Sequence, residues 1–486
     1  MNRRSLCKLL AAGGGLAAAH PLLPASFVTS GLAATDAIKL KIVNRTIDVI
    51  GKAAKVFGIE GPNGKPGLTL AEGQTYAVDL INGLQEETAI HWHGLTPAWD
   101  MDGVPSMPMP PLAAGTSRIF TLPSGKTGTH WIHAHTLQEQ VLLAAPLIVT
   151  PAAKRDEQDV VILLHDFSFK TPEELLAGLK SGGMGGTKGV NMRGMDHSMM
   201  KGTNMQSMDH SNMAGMGNGM MGMDLNDIEY DAYLANDRTL SDPEVMQVEK
   251  GGKVRLRIIN GATATGFSID TGLLAGMVVA VDGQNVMPVA IQPFPLGMGQ
   301  RVDILLNIPK EGGAFPILAL REGARQRTGI ILTTAGAIIA KVPIEGSADG
   351  PVLSAMSEHL LRATTPLPQR GAARKFTVTL TGDMQNYAWA INPDKEMTVK
   401  QGERITIEMQ NQSMMTHPMH LHGHHFQIVN VDGMEMPGAV RDTVIVPPMA
   451  TVTFAFDANN PGGGWAFHCH HLYHMATGMM AFVPYA

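Results

Sequence analysis

Short runs in which apolar and polar residues alternate recur along most of the chain, rich in Val, Ile and Thr and set apart by Gly, Pro and Asp. LKIVNRTIDVIG, GLTLAEGQTYAVDLING, DVVILLHDFSF and FTVTLTGDM are representative. Alternation of period two turns one face of an extended segment inward and the other outward. Many such segments with turn residues between them predict an all-β protein built of sandwiches. At 486 residues several domains and a sizeable buried core are expected. The 54 Gly and 30 Pro suit the many turns this requires.

Residues 184–223 break the pattern. They carry 12 Met in 40 positions, against 21 in the other 446, and MDHS occurs twice, at Met195–Ser198 and Met208–Ser211. Gly-rich, polar sequence of this kind holds too little apolar bulk to pack, so a mobile loop is expected. Its thioethers are soft donors that favour Cu(I), with His197 and His210 as possible helpers beside Met195 and Met208. The alternative is a tolerated low-complexity insert.

Charge and cysteine content narrow the setting. Charged residues make up 16% of the chain, below the usual quarter, and the net charge of −6 argues against a nucleic-acid partner. The chain opens NRRSLCK and continues in a Gly- and Ala-rich apolar run to about Ala34, which reads as a twin-arginine export signal and a periplasmic destination. Gly13 to Gly15 interrupt the run and argue against a retained membrane anchor, so no span is expected in the mature chain. Loss of Arg3, Arg4 and Lys8 with residues 1–34 takes the charge to −9, a surface that welcomes cations. Cys7 leaves with that segment. Cys469 then remains alone and has no internal disulfide partner, so a metal-ligand role explains it best.

The surroundings of Cys469 agree. HCHHLYHMATGM places it between His468 and His470, with His474 and Met479 following. On a strand Cys469 points one way and its His neighbours the other. Cys469, His474, a further His and a weak axial Met479 would form the set suited to blue copper. Three other His pairs have strand spacing: His91 and His93, His133 and His135, His420 and His422. With His468 and His470 they make eight imidazoles and no second thiolate, too many for one structural zinc and suited to a copper cluster. His417 is the remaining blue-copper candidate, three positions before His420 and hence on the opposite strand face.

HWHG, HWIHAH, HPMHLHG and HCHHLYHMATGM together resemble the four copper motifs of the multicopper oxidases. VRLRIINGATATGFSI, VVAVDGQNV and RDTVIVPP resemble the bacterial copper-resistance and laccase-like branch. The resemblance implies three cupredoxin-like Greek-key β-sandwich domains, over 35–152, 153–346 and 347–486. The copper cluster would lie between the first and third, with the middle domain as a spacer.

The resemblance also implies four copper ions. Type 1 copper would take His417, Cys469, His474 and Met479, and type 2 copper His91 and His420. The type 3 pair would take His93, His133 and His470 on one ion and His135, His422 and His468 on the other. Asp102, in MDGVP, matches the acid used for protons beside the cluster. Met475 stands where many laccase-like relatives have Glu. Met415 resembles a Met of cuprous oxidases, whereas Ser413 replaces an Asp found in some of them.

Of the remaining His, His424, His425 and His471 adjoin ligands and are expected to support them or face solvent, and His130, His165 and His359 have no ligand spacing. The implied reaction is one-electron oxidation of Cu(I), for copper tolerance, or of small phenols, coupled through Cys469 and its flanking His to reduction of O2 to water. Copper sequestration is the alternative class, and a monomer is expected.

Overall fold

The computed structural model describes residues 37–105, 107–182 and 225–486. The export-signal segment 1–34 and the Met-rich segment 184–223, with Met195, His197, Met208 and His210, lie outside the described residues. Three pairs of β-sheets follow one another: two four-stranded sheets, then a six- and a five-stranded sheet, then a seven- and a four-stranded sheet. Strands of the first pair lie between Ile38 and Thr150, of the second between Gln158 and Thr333, and of the third between Arg374 and Val483. Among the described residues no helix is long and apolar enough to cross a membrane.

One design recurs in each pair. The opening strand runs parallel to a later one: 38–42 beside 78–82, 158–164 beside 254–260, and 374–380 beside 405–411. Each later strand is preceded by a turn glycine and ends on a buried Asn, giving GQTYAVDLIN, GGKVRLRIIN and GERITIEMQN. The three amides do the same work. Asn82 donates to the carbonyls of Glu86, Leu112 and Ala113 and accepts from Leu84 N–H. Asn260 donates to Thr265 and Leu296 and accepts from Ala262. Asn411 donates to Met415, Val446 and Pro447 and accepts from Ser413. A buried amide that uses nearly all its bonds on loop backbone fixes where the chain leaves the strand.

One apolar cluster runs through the middle and third sandwiches, from Val160 to Val483, while the first has its own around Trp92, Ile132 and Leu147. Smaller clusters join first to middle: Val49, Val56 and Leu142 with Phe167 and Leu234, and Trp131 with Leu163 and Ile259. The three units therefore pack as one body, with the loops of the first and third facing each other.

Candidate metal centre

Four short strands carry seven of the predicted donors: Ile90–His93, Gly128–Ala134, His417–Leu421 and Trp465–Cys469. His135, His422 and His470 follow directly on strand ends, His474 lies in the short helix Leu472–Ala476 and Met479 just beyond it. Every residue in the four strands is buried, so each imidazole must find a partner within the protein. Register does the sorting. His91 pairs with His133 and His420 with His468, which puts those rings on shared faces, whereas Met419 pairs with Cys469 and puts the thiol on the other side. His417 shares the face of Met419, so strand alternation holds across Pro418 and delivers it to Cys469.

Cys469 Sγ lies 3.7 Å from His417 Nδ1 and 3.8 Å from His474 Nδ1, and those nitrogens are 3.3 Å apart. Met479 is fully buried beside them; its N–H donates to His474 O and its carbonyl accepts from Cys469 N–H. The eight other imidazoles gather on the far side of Cys469. His135, His422 and His468 form one triad and His93, His133 and His470 another, while His91 and His420 meet with Nε2 atoms 3.4 Å apart.

Hydrogen bonds on the outer nitrogens say which atom of each ring is free. His91 and His420 donate from Nδ1 to the carbonyls of Asp102 (2.9 Å) and Asp442 (2.8 Å). His422 donates from Nδ1 to Asp102 Oδ2 (2.7 Å), His133 to Glu139 Oε2 (3.1 Å), and His468 to Cys469 O (2.9 Å). His93 is reversed: its Nε2 donates to Asp442 Oδ1 (3.1 Å), which leaves Nδ1 facing His133 Nε2 at 3.4 Å.

The inward nitrogens are therefore lone pairs facing lone pairs, down to 2.9 Å between His422 and His468 Nε2, and His470 Nε2 is buried with no partner among the described residues. Such contacts repel unless a cation lies among them. Donors about 2.0–2.3 Å from a shared ion stand roughly 3–4 Å from each other, which matches both sites. Burial, then the neighbouring imidazoles, pushes His93, His133, His135, His420, His422 and His470 well below the usual histidine range, so they are neutral and able to bind metal. Burial also pushes the Cys469 thiol up, and a soft cation would offset the cost of a buried thiolate. The donor set fits copper.

Comparison with known proteins gives the same family. Models described as multicopper oxidase match residues 41–154, 158–339 and 364–485. The chain belongs to the multicopper oxidase family. It is 30% identical to "Multicopper oxidase MmcO" of Mycobacterium tuberculosis over 85% of this chain and 80% of that one. It is 25% identical to "Copper resistance protein A" of Escherichia coli over 90% and 91%. The fold matches a laccase structure from Botrytis aclada with a TM-score of 0.70, at 21% identity over 92% of this chain and 87% of that one. A member of this family is a copper-dependent oxidoreductase with O2 as electron acceptor.

In this multicopper oxidase Asp102 is 2% exposed beside His422, and among the described residues its Oδ1 has no hydrogen-bond partner. Gly103 explains the tight turn: it has φ +89°, and a Cβ there would come within 1.7 Å of Ile90 O. Ser413 accepts from His417 Nε2 at 2.7 Å and donates to Asn411. His424 and His471 are buried rather than solvated, and His425 donates to Gly94 O.

Four functional residues escape a motif reading. Glu139, 3% exposed on a one-turn helix after HWIHAH, reaches His133 and lines the same crevice as Met475. In the sequence it is one more polar residue in TLQEQ. Asp442 orients His93 by its carboxylate and His420 by its carbonyl; RDTVIVPP flagged the segment without the role. Asp227 and Arg301 come from the middle domain, which is thus more than a spacer. Asp227 Oδ2 accepts from His474 Nε2 at 3.1 Å. Arg301 grips Asp442 through two bonds of 2.6 and 2.5 Å. Burial alone would raise Asp442, yet the Arg301 guanidinium holds it below the ordinary carboxylate range.

Proposed function

We propose that the chain holds four copper ions and oxidises Cu(I) for copper tolerance. His417, Cys469, His474 and Met479 would hold type 1 copper, and His91 and His420 type 2. His93, His133 and His470, with His135, His422 and His468, would hold the type 3 pair. When bound, copper supplies the one-electron chemistry that couples four oxidations of the reductant to reduction of O2 to two waters.

The protein's own groups orient donors and handle protons. Cys469 joins the two sites, since its thiol lies with His417 and His474 while its backbone carries His468 and His470 on either side. Asp102 and Glu139 stand at different edges of the eight-imidazole cluster, each with one carboxylate oxygen free of partners. Burial pushes the Glu139 carboxyl well up and favours its protonated, donating form. It offers near Met475 the carboxyl that residue lacks.

The observation that favours Cu(I) over a phenol is the enclosure of His474. It is 0% exposed, with Trp389 stacked on one face at 3.7 Å, His471 on the other at 3.7 Å, and Asp227 across Nε2. A bulky ring has no ligand edge to approach. A small ion can come as near as His471, which stacks on His474, because a cavity of about 10 Å³ lined by Met298, Met415 and Glu322 adjoins it. The similarity to a copper resistance protein supports the same reading. Export to the periplasm through the residue 1–34 signal, action as a monomer, and a phenol-oxidising laccase as the alternative complete the proposal. Oxygen uptake should be rapid with Cu(I) as sole reductant and slow with a bulky phenol; the reverse order would favour the laccase.

A further inference from the structure

All four type 1 groups are fully buried, so an electron must cross some protein group to reach them. We propose that His471 is the electron port, passing electrons from a small reductant in the cavity between the middle and third domains onto His474. The proposal rests on the Cu(I) reading for the identity of that reductant.

Three observations carry it. The His471 ring lies parallel to His474, 3.7 Å between centroids at an interplanar angle of 6°, the closest alignment either ring makes. His471 also lines the cavity, together with Met298, Met415 and Thr416, so one residue touches both the reductant's space and a type 1 ligand. Its orientation is fixed. Nδ1 accepts from His474 N–H at 3.4 Å as the cap of the short helix Leu472–Ala476, which puts the ring proton on Nε2, 3.3 Å from Asp227 Oδ2.

Asp227 Oδ2 thus accepts from His474 Nε2 and lies 3.3 Å from His471 Nε2, at the edge of both stacked rings. With Nδ1 spent on the helix cap and Nε2 turned toward Asp227, the ring meets His474 through its π face. The thioethers of Met298 and Met415 are left as the soft donors for an incoming cuprous ion.

Competing routes are weaker. Trp389 stacks on the opposite face of His474 but is packed in the apolar core and does not line this cavity. The backbone from Met415 through Thr416 to His417 is covalent yet runs through many bonds. Each transfer oxidises one Cu(I) to Cu(II) and delivers one electron, with no bond made or broken. Four transfers and four protons balance one O2 reduced to two waters.

The test is anaerobic stopped-flow bleaching of the blue band in copper-loaded wild type, His471→Leu and His471→Phe, with Cu(I) and, separately, Fe(II) as a second small one-electron reductant. The type 1 midpoint potential is measured alongside. His471→Leu should bleach several-fold more slowly with either ion at little change in potential, and His471→Phe, which keeps the stacked ring, should retain most of the wild-type rate.

Wild-type bleaching in His471→Leu overturns the port. So does equal slowing in both variants with a shared shift in potential, which would assign the effect to the lost Asp227 contact. His471-dependent bleaching by Fe(II) with none by Cu(I) would support the port and reject the cuprous reading.

Discussion

In the proposed mechanism Asp102 and Glu139 divide a task that the sequence assigned to one residue. Asp102 was legible because MDGVP resembles a family loop, whereas Glu139 acquires its role only when a one-turn helix folds it back onto His133. Asp102→Asn and Glu139→Gln should each keep the blue band and slow O2 turnover at neutral pH, and the double variant should lose more than either. Wild-type turnover in the double variant, followed with an oxygen electrode, would remove both from proton handling.

Glu322, at the cavity wall, bears on stability instead. Burial raises its carboxyl to about 7 from an ordinary 4.5. A raised folded value favours folding below the unfolded value, and that benefit is lost as pH rises through the folded one. Glu322→Gln should therefore leave the metal-free protein nearly unchanged at pH about 4 and stabilise it at pH about 8, by roughly 2–3 kcal/mol. Thermal unfolding at the two pH values checks the sign.

Strands and the positions directly after them place most of the proposed ligands, and here the sequence was most informative. Period-two spacing in HWHG, HPMHLHG and HCH already separates cluster-facing from Cys469-facing side chains, and the register of His420 with His468 and of Met419 with Cys469 carries that separation across strands. The three strand-ending amides were harder to see. Asn82, Asn260 and Asn411 stand far apart in sequence, and what they share is a set of backbone bonds that only the folded loops reveal.

Replacing any one of them with Ala strands several buried carbonyls and should cost about 2–4 kcal/mol in denaturant unfolding. Only Asn411→Ala should also alter the blue band, because Asn411 holds Ser413 against His417. A matching spectral change in Asn82→Ala would show that the effect is global loosening.

At the scale of the molecule, domain number followed from length and family resemblance, but the part played by the middle domain did not. Its contributions are single residues without a motif: Asp227, which acts where the middle domain meets the third, and Arg301, which acts where all three meet. Arg301 is 0% exposed and bonds to Asp442 while also reaching Thr129 O, so it ties middle, third and first domains beside the cluster. Arg301→Met leaves Asp442 buried and unpaired and should destabilise by about 3–5 kcal/mol. It should also disturb the signals of the eight-His cluster before the blue band, because Asp442 orients His93 and His420. An altered blue band with an unchanged cluster spectrum would refute that order.

One thiol stands between a three-donor site and an eight-imidazole cluster, and both are proposed to hold copper. Quantitative electron paramagnetic resonance of the resting, copper-loaded protein, set against total copper, tests that proposal most directly. Four coppers per chain are expected, half of them visible as one type 1 and one type 2 signal and half silent as a coupled pair. One copper per chain, or four that are all visible, would contradict it.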